Sequence, residues 1–114
     1  MNLPEKGCPQ LEDGHTRIAN ELLEALYKYT FSGIELQIIL VIIRYTYGWG
    51  QKTETISYNE LKKELGCDMR YLKKMVNKLV KDRVILKAKK GAKNVLGINK
   101  HYLNWRLWIT NKRS

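Results

Sequence analysis

Residues 68–82 read Asp68-Met-Arg-Tyr-Leu-Lys-Lys-Met-Val-Asn-Lys-Leu-Val-Lys-Asp82. At the period of roughly 3.6 residues of an α-helix, this stretch has an apolar side and a polar side. The apolar side consists of Met69, Leu72, Met75, Val76, Leu79 and Val80. The polar side spans an arc of roughly 140° and consists of Arg70, Lys73, Lys74, Asn77, Lys78 and Lys81. The pattern predicts a helix that packs on a small core and presents a basic face to a polyanion such as duplex DNA. A solvated face with no partner is the alternative that the helix alone leaves open.

A second helix is predicted immediately before this one. Ser57, with Glu60 three residues later, predicts a capping box for a helix over 58–65, and Gly66 ends it. Asp68 then caps the basic helix. Two helices joined by so short a turn, the second of them basic, are typical of a helix-turn-helix. Tight helical hairpins also occur in proteins that do not bind DNA, so the pattern indicates the function without deciding it.

The first half of the chain predicts two more helices. Thr16 is expected to cap the first, and Ser32 or Gly33 to begin the second, which runs from Ile34 to about Tyr45. The centre of the second helix is apolar nearly all round, as expected of the most buried helix in a small domain. Its β-branched residues leave a strand open, but its polar residues favour a helix, and we expect Glu35 to be a solvated charge on its outer face.

The segment after the second helix predicts a turn and then a short extended piece. Tyr47-Gly-Trp-Gly50 ends the helix, and Trp49 is expected to fold onto the core. The extended piece covers 53–56.

A β-hairpin is predicted after the basic helix. The run 84–88 is rich in β-forming residues, and residues 103–109 alternate between apolar and polar, so we expect these two runs to pair as antiparallel strands. The loop between them, residues 89–101, carries four lysines and forms the tip of the hairpin. The predicted fold is therefore mainly α with a small β-hairpin (α+β). We predict a winged helix-turn-helix with three or four helices and a two- or three-stranded antiparallel sheet. It is expected to occupy residues 15–110, between a flexible arm (1–14) and a tail (111–114).

Positive charge is concentrated in the second half of this 114-residue chain, whose net charge is +10. Residues 1–57 contain five Lys or Arg and seven Asp or Glu, a net charge of −2, whereas residues 58–114 contain sixteen and four, a net charge of +12. Clustered cations attract phosphates in a salt-sensitive way. A winged helix used only for protein contacts is the competing interpretation.

Other classes of protein are not favoured by the sequence. No apolar run is long enough to span a bilayer, and the N-terminus lacks the order of a signal peptide, so we expect a soluble protein of the bacterial cytoplasm. Cys8 and Cys67 have no metal-ligand spacing with each other or with the two histidines, and a disulfide between them is not expected. Clustered carboxylates and a Gly-rich phosphate loop are lacking, so we predict no enzyme activity, no catalytic residue, no metal and no cofactor.

The partner predicted from the residues is double-stranded DNA. Arg70, in the first turn of the basic helix, is the best candidate for a bidentate contact to guanine, with a phosphate contact as the alternative. Asn77 suits adenine or a phosphate, the lysines suit phosphates, and Tyr71 at the border of the two faces favours packing. The predicted DNA-binding residues are Arg70, Tyr71, Lys73, Lys74, Asn77, Lys78 and Lys81 on the recognition helix, Lys89, Lys90, Lys93, Asn94 and Lys100 on the wing, and Ser57 and Tyr58 at the preceding helix N-terminus.

Several stretches resemble the N-terminal domain of the bacteriophage replication protein O family. They are Asp13-Gly-His-Thr-Arg-Ile-Ala-Asn-Glu-Leu-Leu-Glu-Ala-Leu26, Ile42-Ile-Arg-Tyr-Thr-Tyr-Gly-Trp49, Ile56-Ser57 with the helix pair, and Gly97-Ile-Asn-Lys-His-Tyr-Leu-Asn-Trp105, and the resemblance covers about residues 12–109. The resemblance implies a winged helix that binds repeated sites in a phage or prophage replication origin, usually as a homodimer. It also implies that the recognition helix and wing face the DNA, here through Arg70, Lys73, Lys74, Asn77 and the wing lysines, although no target sequence carries over.

In that family a separate C-terminal region recruits the helicase-loading proteins. The chain stops at Ser114 without such a region. It is therefore expected to be a single domain of a longer protein, a short prophage product, or a protein that has lost the recruiting role. A transcriptional regulator that binds an operator, and a protein-interaction module of a primosome, are the alternative functions.

Overall fold

The computed structural model describes residues 14–106. In chain order the helices are α1 (Asn20–Lys28), α2 (Gly33–Thr46), α3 (Tyr58–Leu65) and α4 (Met69–Lys81). The strands are β1 (Thr53–Thr55), β2 (Ile85–Lys90) and β3 (Lys93–Ile98), and short 3-10 turns cover Tyr47–Trp49 and Tyr102–Asn104. Four helices and a three-stranded antiparallel sheet form an α+β domain that is compatible with a winged helix-turn-helix, so the predicted fold class is confirmed.

Helix α2 lies at the centre of the core. Ile38, Ile39 and Ile42 are completely buried, because this helix contacts β1, β3, α3 and α4. Ser32 caps it in a full capping box with Glu35: the Ser32 Oγ accepts the Glu35 N–H, and the Glu35 carboxylate accepts the Ser32 N–H. The prediction of a buried helix rather than a strand is therefore confirmed.

Helix α1 begins later than its sequence predicts. Its first residue is Asn20 and its N-cap is Ala19, which makes no side-chain capping bond in the described structure, so the prediction of a Thr16 cap is wrong. The end of α1 is held by aromatic contacts from a distant part of the chain. Tyr29 and Phe31 pack edge-on against the buried Trp105, with ring centroids 5.1 and 5.9 Å apart respectively. These long-range contacts fix α1 more than its own capping sequence does.

The sheet pairs different residues from those predicted. Its strand order is β1-β3-β2, and β2 pairs with β3 from Ile85 opposite Ile98 to Lys90 opposite Lys93. The second strand of the hairpin therefore lies within residues predicted to be a loop. Residues 103–104 belong to a 3-10 turn, and 107–109 lie outside the described residues. The predicted pairing of 84–88 with 103–109 is wrong.

Close packing around Gly97 explains why β3 contains a glycine and is therefore not predicted as a strand by its sequence. A Cβ atom at Gly97 would lie 2.7 Å from the Lys52 carbonyl oxygen, because β1 pairs with β3 at this point and Thr53 lies opposite Gly97. Glycine lowers the β-propensity of 93–98, yet only glycine permits this approach of β1. At the other end of the hairpin, Gly91 has φ +67°, a left-handed conformation that permits a tight turn between the strands.

Several predictions fall on residues that the structure does not describe. They are the arm over 1–13, the tail over 111–114, and the thiol of Cys8. Within residues 14–106, no helix combines the length and apolar character needed to cross a membrane.

Candidate nucleic-acid interface

Helix α4 presents a basic face to solvent on top of a buried apolar face. Leu72, Val76 and Leu79 are completely buried, which fixes the rotation of the helix about its axis. Its first turn is closed by Asp68, whose carboxylate accepts the Tyr71 N–H at 3.2 Å. The residues left exposed are Arg70, Tyr71, Lys73, Lys74, Asn77, Lys78 and Lys81. The seven predicted residues of this helix therefore share one exposed surface.

The short connection between α3 and α4 places the two helices side by side. Gly66 adopts φ +66°, which requires glycine or a strained residue, and its N–H donates to the Lys62 carbonyl at 2.7 Å. At the other end of α3, the Ser57 Oγ accepts the Glu60 N–H at 3.0 Å, so the serine half of the predicted capping box is formed. The first residues of both helices, Tyr58 and Met69, line one cavity together with Lys93 of the β2–β3 hairpin.

Two lysines converge on the ring of Tyr58. The Lys73 Nζ, from α4, lies 5.5 Å from the ring centroid, and the Lys87 Nζ, from β2, lies 5.3 Å from it. Lys87 also donates to the Tyr58 hydroxyl at 2.8 Å and to the Asn77 side-chain oxygen at 3.5 Å. Within residues 14–106, neither lysine has a carboxylate within ion-pair distance. Two cations beside one ring, without a carboxylate partner among the described residues, are groups that can pair with phosphates.

Lys87 is the residue that the sequence analysis missed. The signal was present, because alternation along β2 places Lys87 on the same face as the buried Ile85, toward α4. A lysine on the inward face of a strand needs an electron-rich partner, here the ring and hydroxyl of Tyr58. The sequence could not reveal that Tyr58, 29 residues away, is that partner.

A cavity of about 380 Å³ opens beside this cluster, between α3, α4 and the wing. Tyr58, Lys73, Lys93 and Asn94 contribute to its lining, and Glu60 is its acidic member. The Asn94 side-chain oxygen is buried without a hydrogen-bond partner among the described residues. The cavity therefore offers the cationic groups of Lys73 and Lys93 to a phosphate, whereas the Asn94 oxygen can only accept a hydrogen bond.

The wing is the β2–β3 hairpin, and its tip is strongly basic. Lys90 lies directly opposite Lys93, and Lys89 lies opposite Asn94. Like charges opposite one another destabilise a strand pair, so this pair gains from a polyanion that binds both. Lys100, which the sequence predicts to be on the wing, instead follows β3 at the end of the sheet away from the tip. Its predicted placement on the wing is therefore wrong, because residues 93–98 form β3 and are not part of a loop that runs to residue 101.

Lys78 differs from its neighbours on α4 because its charge is neutralised. Its Nζ lies 2.9 Å from the Glu35 carboxylate and 3.0 Å from the Asp82 carboxylate. Glu35 is only 5% exposed, so the expectation of a solvated carboxylate on the outside of α2 is wrong. Burial acts to raise the pKa of Glu35, but hydrogen bonds from the Ser32 N–H and Lys78 outweigh it and hold the pKa below its ordinary value. The network ties α2 to the edge of α4 opposite Tyr58.

Replacement of Glu35 by glutamine tests this connection. At about pH 7 we expect E35Q to lower the free energy of unfolding by about 1–3 kcal/mol, because the charged hydrogen bonds to Lys78 and Ser32 are weakened. The carboxylate pKa is lower in the folded state than in the unfolded state. The stability that the ionised carboxylate contributes is therefore present above its ordinary pKa of 4.5. It is lost as the pH falls through the lower pKa of the folded state. Urea unfolding at about pH 7 and about pH 3 should show the difference between wild type and variant shrinking in acid.

Glu24 provides the matched control for this measurement. Its ion pair with Lys28 is 3.9 Å long and half exposed, so E24Q should change stability by less than about 0.5 kcal/mol. Equal effects of E24Q and E35Q would contradict the role assigned to Glu35.

Comparisons with known proteins agree on one family. The family described as bacteriophage replication protein O matches residues 8–105. Replication protein 15 of Enterobacteria phage phi80 is 26% identical over 95 residues, which cover 83% of this chain and 32% of that protein. Replication protein O of Escherichia phage lambda is 27% identical over 101 residues, covering 89% of this chain and 29% of that protein. DNA replication protein gp18 of Salmonella phage P22 is 26% identical over 106 residues, covering 93% and 38%. No solved structure matches the chain significantly.

Proposed function

Because the chain belongs to the bacteriophage replication protein O family, we propose that it binds duplex DNA at a phage or prophage replication origin and helps to initiate replication. The observation that supports duplex binding most directly is the continuous basic surface of α4 and the wing. On that surface Lys73 and Lys87 converge on Tyr58 with no carboxylate within ion-pair distance in residues 14–106. The proposed activity is binding, and it involves no catalytic step, metal or cofactor.

The proposed binding mode places α4 in the major groove, which at about 12 Å wide admits one helix. Arg70 and Asn77, near the middle of the exposed face, would then meet base edges. Lys73 and Lys87, at the α3 edge of that face, would hold a phosphate beside Tyr58. The wing lysines would reach flanking phosphates or the minor groove. Lys78 contributes least in this mode, since Glu35 and Asp82 already neutralise it.

Dimer formation, recruitment of helicase-loading proteins and the place of action are also proposals for this chain. The chain spans about a third of the length of the curated relatives that it matches. We propose that binding to repeated sites involves a homodimer and that helicase-loading proteins are recruited by other regions of such proteins. The proposed place of action is the cytoplasm of the infected bacterium, where the phage origin is copied.

Selection of bound sequences from a randomised duplex library, followed by anisotropy titrations on the selected site, tests the proposal. We expect R70A to lose about 1–3 kcal/mol of binding free energy on that site and to relax the preference at one base pair. K90A, at the wing tip, is the matched comparison and should weaken all sequences about equally.

Two results would count against this proposal. Failure of the domain to bind any duplex would favour a protein-interaction module. Identical behaviour of R70A and K90A across sequences would remove the distinction between a base contact and a phosphate contact.

A further inference from the structure

The turn after α2 carries an exposed tryptophan. Trp49 is 72% exposed, so the expectation that it folds onto the core is wrong. The turn itself is well defined: the Gly50 N–H donates to the Tyr47 carbonyl at 3.0 Å and the Gln51 N–H to the Thr46 carbonyl at 2.9 Å. Gly50 adopts φ +69° to close it. The backbone therefore holds the indole outward.

One face of the indole is covered by Arg44. The guanidinium carbon lies 5.9 Å from the centre of the ring system, within the range of a cation–π contact. Gly48 makes room for it, since a Cβ atom there would lie 2.7 Å from the Arg44 Nη1 atom. With Arg44 on one side and most of the side chain exposed, the indole retains an open surface on which a planar group can stack.

The surroundings of Trp49 are basic. A cavity of about 430 Å³ is lined by Arg44 and Trp49 together with residues 14–16 and Gly48. A second cavity, of about 350 Å³, is lined by His15, Arg17, Tyr47, Gly50, Gln51 and Lys52. Among the described residues, no carboxylate lines either cavity. Arg44 thus contacts the exposed ring, and Arg17 and Lys52 line the second cavity, which shares His15 with the first.

This surface is separate from the α4–wing surface. Lys52 precedes β1, and the first residue of β1, Thr53, lies opposite Gly97 at the end of the sheet away from the wing tip. The last residue of β1, Thr55, lies opposite Val95 and lines the cavity beside Tyr58. The turn that carries Trp49 and the cavity beside Tyr58 therefore lie toward opposite ends of β1, and we expect a duplex bound by α4 and the wing to leave Trp49 accessible.

We propose that Trp49, with Arg17, Arg44 and Lys52, binds single-stranded DNA: an unpaired base stacks on the indole and the cations hold the adjoining phosphates. Every base has a π-face, so such a site needs no particular sequence. A polyanion fits better than a protein partner, because the described residues that line the two cavities include cations and no carboxylate. The proposal does not depend on duplex recognition by α4.

Fluorescence anisotropy with a labelled oligo-dT of about 12 nucleotides tests the site, alongside a duplex bound by the same protein. We expect W49A to weaken binding of the single strand by roughly 10- to 100-fold and to leave duplex affinity within about twofold. Y27A is the matched control, since Tyr27 is a 65% exposed aromatic residue on α1 that does not line either cavity. It should leave both affinities unchanged.

A second variant separates stacking from a general structural effect. W49F should keep most of the affinity for oligo-dT but lose the quenching of tryptophan fluorescence that a base stacked on the indole produces. The proposal is overturned if the wild-type protein does not bind oligo-dT. It is also overturned if W49A binds as tightly as wild type, or if W49F keeps the quenching. Failure of the wild-type protein to bind duplex, with oligo-dT binding intact, would instead contradict the proposed origin-binding function.

Discussion

Duplex affinity is expected to fall by about 10³- to 10⁵-fold when the NaCl concentration is raised from about 50 to about 200 mM. The physical reason is counterion release: each phosphate neutralised by a lysine or arginine returns a condensed cation to bulk solution, and added salt opposes that return. The α4–wing surface offers eight cations for this purpose. They are Arg70, Lys73, Lys74, Lys81, Lys87, Lys89, Lys90 and Lys93. A protein with roughly 6 to 10 phosphate contacts loses affinity on this scale.

The measurement is a series of anisotropy titrations at increasing NaCl concentration, plotted as the logarithm of the association constant against the logarithm of salt. We expect a slope of roughly −5 to −9. Thermal unfolding over the same range controls for any effect of salt on the fold. A slope near zero would mean that the basic surface does not contact phosphates, and both the origin-binding and the operator-binding interpretations would fail.

Reversing the charges of the two lysines beside Tyr58 is expected to have the second largest effect on duplex affinity. The double variant K73E/K87E should weaken duplex binding by roughly 10²-fold at about 0.15 M salt, and should make the salt slope shallower by about one to two. Each phosphate contact that is lost accounts for roughly fivefold in affinity at that salt concentration, and the two carboxylates that replace the lysines also repel the phosphates. The loss is expected on every sequence, because the contacts proposed for these lysines are to phosphates, which carry no sequence information.

The matched control reverses two lysines that do not contact Tyr58. Lys28 pairs with Glu24 on α1, and Lys63 is exposed on α3, on the side of that helix opposite Tyr58. K28E/K63E makes the same change in net charge and should weaken duplex binding by less than about tenfold. Equal losses for the two double variants would show that net charge alone attracts DNA, without a phosphate site at Tyr58. Thermal unfolding of both variants verifies that each remains folded.

The rotation and start of α4 were predictable because their causes are local. Leu72, Val76 and Leu79 recur at helical spacing, and Asp68 sits where a cap is needed, so no distant contact was required to place Arg70 on the exposed face. The same holds for the start of α2, where Ser32 is the N-cap and Gly33 the first helical residue, as the sequence predicts. Three functional predictions, the recognition helix, its basic face and its candidate base contact, depend only on this local information.

Features that join distant residues were not predictable. The alternation in 103–109 predicts a strand, but Trp105 packs against Tyr29 and Phe31 instead, more than 70 residues earlier in the chain. The strand that pairs with β2 is β3, which contains Gly97. Glycine is needed there only because β1 pairs beside it and brings the Lys52 carbonyl close. Similarly, the Glu35–Lys78 pair spans 43 residues, and it converts an apparently free DNA-binding lysine into part of the core support.

By itself, then, the sequence of this chain determined which segments form helices, which face of α4 is basic, and the family to which the domain is similar. These follow from periodicity, capping and short motifs, whose physical causes act within a few residues. The tertiary structure alone decided that Lys87 joins Lys73 at Tyr58, that Glu35 neutralises Lys78, and that Trp49 faces outward beside Arg44. Each of these depends on how separate elements pack, because a charge or a ring acquires its role from neighbours that the chain brings together only on folding.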